Sequence, residues 1–116
     1  MIRPAAPDLP ADHRRLVRDI LRAHLPQGVR AWVFGSRATG RARRYSDLDL
    51  ALDCGRRLTL DERARLAEAF SDSDLPYKID ILDWQGLDAR FRRIIAAERM
   101  PLADTANPEG AAVDLK

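Results

Sequence analysis

In "SDLDLALD" two acids, Asp47 and Asp49, alternate with leucines, shortly after a Gly35-Ser36 step and a run of arginines. Side chains alternate along an extended strand, so both carboxylates project from one face, with Cα atoms roughly 6–7 Å apart. A third acid, Asp80, stands in the apolar run "YKIDILDW" and joins them if that segment pairs beside the first. Three converging carboxylates repel one another, and at least one keeps its proton unless cations are present. A divalent ion removes the conflict. Oxygen-only ligation, with positions left open for phosphate and water, suits magnesium or manganese better than zinc. Asp83 is the alternative third acid, but its parity sends it to the strand face opposite Asp80.

The stretch ahead of these acids is built to receive something negative. Gly35 has no Cβ, so its backbone can approach a phosphate, and Ser36 adds a hydroxyl and an amide donor where a helical turn begins. Arg37, Arg41, Arg43 and Arg44 bring guanidinium groups, which bind phosphate oxygens in a fork. Gly35, Ser36 and Arg37, with Ser46 just before the first acid, form the candidate phosphate-binding set. A lone D-L-D is ordinary in an amphipathic strand, and a lone Gly-Ser turn is commonplace; their conjunction is not. No Ser/His/Asp or Cys/His set competes, because His13 and His24 lie on one helical segment far from Cys54, the single cysteine.

Hydrophobic periodicity indicates which elements must hold these groups. Leu16, Val17, Ile20, Leu21 and Leu25 recur at helical spacing over Ala11 to Leu25, with Pro26 and Gly28 as the stop. "VRAWVF" reads as a strand ending at Gly35, and Arg37 to Gly40 as a short helical turn. "SDLDLALD" is the second strand, with Leu48, Leu50 and Leu52 on one face. Thr59 and Glu62 form a capping box that opens a helix to about Phe70. "YKIDILDW" is the third strand, and a last helix over about Leu87 to Arg99 should bury Phe91, Ile94 and Ile95. The order helix, strand, strand, helix, strand, helix predicts an α/β (α+β) fold: a small mixed sheet of about three to four strands covered by helices on one face.

Composition bounds the function classes. A chain of 116 residues is one domain, able to bury roughly two-thirds of its unfolded surface. Residues 1–10 are expected to be an irregular arm and 103–116 a flexible tail, leaving no room for a second substrate-binding domain. Twenty basic against 18 acidic residues give a net charge of +2, so the surface is not one-signed. With few aromatics and no basic stripe, direct nucleic acid binding is not expected. The lone cysteine excludes an internal disulfide and fits a reducing cytoplasm. Charges and prolines stand at the start, where a signal peptide needs an apolar run, and no stretch approaches about 18 apolar residues. A cytoplasmic protein without membrane association is therefore expected.

Gly35-Ser36, ten intervening residues, Asp47-x-Asp49 and a further acid in an apolar strand some thirty residues on resemble the DNA polymerase β-like nucleotidyltransferase superfamily. Within it the chain is most similar to the minimal nucleotidyltransferases (MNT), over about residues 28 to 100. The resemblance implies that Asp47 and Asp49 bind two Mg²⁺ ions, with Mn²⁺ as a substitute, and that Asp80 completes the site as proton acceptor or metal ligand. It implies ATP as substrate, its phosphates over Gly35 and Ser36, with AMP passing to a hydroxyl while pyrophosphate leaves. It further implies a partner: MNT proteins act as antitoxins that move AMP to a tyrosine of a HEPN-domain ribonuclease toxin within a hetero-complex. The missing acceptor domain agrees with a protein acceptor. Two other readings stay open, an antitoxin that neutralises by contact alone and a nucleotidyltransferase of small molecules such as aminoglycosides.

Overall fold

The computed structural model describes residues 6–102. Residues 6–10 of the expected arm are irregular; residues 1–5 and the expected tail 103–116 lie outside the described residues. The chain runs through α1 (Ala11–His24), β1 (Arg30–Phe34), α2 (Ser36–Thr39), β2 (Leu48–Asp53), α3 (Leu60–Ser71), β3 (Ile79–Asp83), a 3₁₀ turn over Trp84–Gly86, α4 (Ala89–Glu98) and β4 (Met100–Pro101). Among the described residues no helix is long and apolar enough to cross a membrane.

The strands form one mixed sheet in the order β3-β2-β1-β4. β1 is antiparallel to both β2 and β4, whereas β2 and β3 run parallel. A parallel pair needs a crossover connection, and α3 supplies it. Its start is set locally: the Thr59 hydroxyl accepts from the Glu62 N–H at 3.0 Å, and the Glu62 carboxylate accepts from the Thr59 N–H at 2.9 Å. Both partners of the expected capping box are therefore present. Arg56 forks onto the same carboxylate at 2.8 and 2.9 Å, and this pairing pulls the Glu62 pKa down to about 2. β4, not separately legible in the sequence, pairs through Val33 with Met100 and Trp32 with Pro101. A proline is tolerated there because β4 is an edge strand and only one of its sides must donate to a neighbour.

Alternation decides which residues meet the helices. Val33, Leu48, Leu50 and Leu52 are fully buried and pack with Val17 and Leu21 of α1 and Leu66 and Phe70 of α3. The opposite sheet face carries Trp32 and Ala51 under Ile95 of α4, with Phe34, Leu82, Trp84 and Leu87 packed around them. The helices were all expected on one face; α1 and α3 cover it, but α4 packs on the other and closes part of it. This contact is narrow. Ile95 is buried, but Phe91 and Ile94, expected to be buried with it, are 45% and 55% exposed, because α4 meets the sheet along one line of side chains and not along a broad face.

Asp83 falls on the face expected from its parity. Paired in register with Leu52, it is buried, and its Oδ2 accepts from the Leu58 N–H at 2.8 Å while Oδ1 accepts from the Gln85 N–H at 3.3 Å. It therefore ties the approach to α3 to the turn after β3. Removing the carboxylate orphans a buried backbone donor, which costs about 1–3 kcal/mol. Asp83→Ala should lower the unfolding free energy by that amount in urea titrations, whereas Asp80→Ala, which removes a like charge facing Asp49, should not lower it.

Candidate active site

At the end of the sheet the strand register gathers acids. Asp49 of β2 stands opposite Asp80 of β3 and opposite Phe34 of β1. Asp47 lies two residues earlier, just before β2 begins, and is exposed. Neighbouring strands lie about 4.8 Å apart, so the Asp49 and Asp80 side chains leave the sheet next to each other. The Asp49 carboxyl is held above the ordinary aspartate range, first by burial and then by the negative charges of Asp80, Asp47 and Glu98. Asp80 is partly balanced, since its Oδ1 lies 3.4 Å from Lys78 Nζ.

Glu98, the last residue of α4, is the acid that sequence reasoning missed. It lies 63 positions from Gly35, yet its Oε1 accepts the Gly35 N–H at 2.9 Å. No spacing rule links the end of a fourth helix to a turn after the first strand, so the sequence carries no signal for it.

Gly35 has φ 72° and ψ −153°, a region reserved for glycine. A Cβ added there would collide with Asp49 Oδ2, so the lack of a side chain lets the turn and the acid touch. Ser36 opens α2 directly after it, and the turn is closed by the Ala38 and Thr39 N–H groups donating to the Gly35 carbonyl at 3.0 and 3.2 Å. The structure thus brings Gly35, Ser36, Asp49 and Asp80 to one end of the sheet, with Asp47 beside them.

Arg37 requires a correction. Expected to reach toward phosphate, it is buried, and its guanidinium donates to the Ser46 carbonyl at 3.1 and 2.9 Å, to that of Arg44 at 3.2 Å and to that of Asp8 at 2.9 Å. Its guanidinium carbon lies 4.0 Å from the centre of the Tyr77 ring. Tyr77 in turn meets His13 Nδ1 through its hydroxyl at 2.7 Å. Carbonyls, not phosphates, take the fork: the loop between α2 and β2 has no regular partner for its carbonyls, and a buried guanidinium supplies them. Ser46 likewise shapes this loop, its hydroxyl accepting from the Arg43 N–H at 2.8 Å. Arg41, Arg43 and Arg44 are exposed.

All-oxygen donors of like charge, one of them burdened by its neighbours, fit a hard divalent cation by their chemistry. Among the described residues, however, no three acidic, histidine or cysteine side chains already close around a common point. The acids are neighbours and not a finished cage.

This sheet, with two acids alternating on the strand after a Gly-Ser turn, is the frame to which the known proteins can be compared. The family described as "Polymerase beta, Nucleotidyltransferase" matches residues 17–106, and the chain belongs to it. It is 44% identical over 88 residues, 76% of each chain, to a Haemophilus influenzae (strain ATCC 51907 / DSM 11121 / KW20 / Rd) protein named "Probable protein adenylyltransferase MntA". A solved toxin–antitoxin structure with AMP-PNP shares the fold at TM-score 0.67 and 24% identity, over 86% of this chain and 81% of that one. A solved complex of tri-AMPylated Shewanella oneidensis HEPN toxin with MNT antitoxin does so at TM-score 0.57 and 21% identity, over 83% and 76% of the two chains.

Two outcomes test this geometry. The folded protein holds the Asp49 proton more tightly than the unfolded chain does, so Asp49 favours folding only while protonated. That contribution fades as pH rises from the ordinary range, about 3.9, through the raised value. Asp49→Asn should therefore be more stable than wild type at neutral pH, with the gap narrowing toward pH 3 in urea titrations. Arg37→Lys keeps the charge but cannot reproduce the fork. It should lose about 2–3 kcal/mol of stability while the folded fraction binds nucleotide as wild type does.

Proposed function

We propose that this chain transfers AMP from ATP to a tyrosine hydroxyl of a cognate HEPN-domain toxin and so acts as its antitoxin. The observation that carries the reading is the register pairing of Asp49 with Asp80 beside a Gly35 whose missing side chain admits the Asp49 carboxylate. Membership of the nucleotidyltransferase family supports the reaction class, the adenylyltransferase relative supports adenylyl transfer, and the toxin–antitoxin structures of the same fold support the acceptor.

The chain's own groups divide the work. The Gly35-Ser36 turn receives the phosphate chain and orients its α-phosphorus toward the acids. The tyrosine oxygen forms the new bond to that phosphorus, the bond to pyrophosphate breaks, and the hydroxyl proton leaves to Asp80 or to water. Asp47, Asp49 and Asp80 would hold Mg²⁺, or Mn²⁺ in its place, which neutralises phosphate charge and lowers the pKa of the attacking hydroxyl. Exposure of Asp47 and partial exposure of Asp80 keep this end of the sheet open to a protein-borne tyrosine.

Incubation with labelled ATP, Mg²⁺ and a cognate HEPN-domain protein should place label on that partner. Asp47→Asn or Asp49→Asn should reduce transfer on the order of 10²–10⁴-fold, the rate equivalent of several kcal/mol of lost charge stabilisation, with circular dichroism unchanged. No label from any form ends the proposal. Toxin neutralisation that survives both substitutions would assign the antitoxin effect to contact alone.

A further inference from the structure

The Gly35 N–H belongs to the turn that, on the reading above, receives phosphate. It already donates to Glu98 Oε1 at 2.9 Å. A backbone amide has a single hydrogen and makes one strong bond, so a phosphate oxygen and the Glu98 carboxylate cannot both hold it. We infer that Glu98 competes with the phosphates of the nucleotide for the Gly35 N–H and thereby sets nucleotide affinity from the end of α4. The inference rests on the proposed nucleotidyl transfer and adds a residue to its binding step.

Negative charge stands close to the Glu98 carboxylate. As the last residue of α4, it places a negative charge at the negative end of the helix dipole, where cations and not anions are favoured. It also faces Asp49, whose carboxyl it burdens. Two repulsions thus oppose the hydrogen bond to Gly35. A phosphate chain taking that N–H would bring a third negative group to the same spot, so its binding requires the Glu98 carboxylate to give up Gly35.

Displacement would be visible nearby. Arg99, the next residue, lies 4.0 Å from the ring centre of Trp32 and 4.8 Å from that of Trp84, and these are the only two tryptophans in the chain. Its N–H closes α4 onto the Ile95 carbonyl at 2.8 Å. A movement of the end of α4 that accompanies loss of the Glu98 contact would be reported by both indoles through Arg99.

Calorimetry of ATP binding in Mg²⁺, with wild type, Glu98→Ala, Glu98→Gln and Glu98→Asp, tests this. Glu98→Asp is the decisive variant, because it keeps the charge but is too short to reach Gly35. Removing a charge-assisted competitor should tighten binding on the order of tenfold in Glu98→Ala and Glu98→Asp, and less in Glu98→Gln, whose amide oxygen still accepts from Gly35. ATP should change tryptophan fluorescence in wild type and change it less in Glu98→Ala. Should Glu98→Ala fail to fold, by circular dichroism, the aspartate and glutamine variants carry the test. Binding that is unchanged or weaker in Glu98→Asp overturns the inference while leaving the nucleotidyl-transfer proposal intact. If wild type binds no ATP at all, both fall.

Discussion

Between β2 and β3 the parallel register sets the carboxylate of Asp49 against that of Asp80. Like charges directly opposite one another on a sheet are destabilising, and here Asp47 and Glu98 add to the repulsion felt by Asp49. A fold tolerates such a cluster only if the rest of the molecule fixes the strands independently of it. The apolar side of the same strands does this: Leu48, Leu50 and Leu52 alternate with the acids and are fully buried against α1 and α3. Register and repulsion are two faces of the same six residues. Slipping β2 by one position would relieve the acids but would send every leucine to the wrong side, so burial wins and the charges are held together.

The neighbouring polar groups behave in the opposite way. Arg37, Asp83 and Glu62 each find backbone or ionic partners at close range, and each holds an irregular segment: the loop before β2, the approach to α3, and the first turn of α3. Charge at these positions is consumed by structure. At the end of the sheet beside Gly35, by contrast, Asp49 stands among the like charges of Asp80, Asp47 and Glu98. Strongly satisfied groups around a poorly satisfied cluster are the arrangement expected where binding of a charged ligand supplies the missing compensation.

Much of this was legible in advance because it obeys short periods. The two-residue alternation of "SDLDLALD" placed Asp49 and Leu50 on their proper faces, parity separated Asp80 from Asp83, and the Thr59–Glu62 box marked the start of α3. The failures are of another kind. Arg37 was assigned by its chemistry, but residue type does not reveal whether a guanidinium meets phosphates or carbonyls; that depended on a loop whose open carbonyls only the fold exposes. Phe91 and Ile94 satisfied helical periodicity, yet periodicity tells which side of a helix is apolar and not how much of that side finds a partner. Glu98 lay beyond reach because contacts between the end of α4 and the β1 turn are set by chain topology alone.

Gly35 shows why the turn and the acids must be treated as a single unit. Its backbone lies where only glycine is comfortable, its open side admits the Asp49 carboxylate, and its N–H is held by Glu98. The three demands arise from three different elements, β1, β2 and α4, which share no local sequence. A side chain at this position would violate the first two together: the residue would have to leave its φ region, and Asp49 would have to swing away from the turn. The carboxylate could not swing without altering its spacing from Asp80, because their strands are locked by the leucines beneath. Conformational freedom at one backbone position and charge spacing across two strands are therefore coupled, and the Gly-Ser step is as much a part of the acidic cluster as the acids themselves.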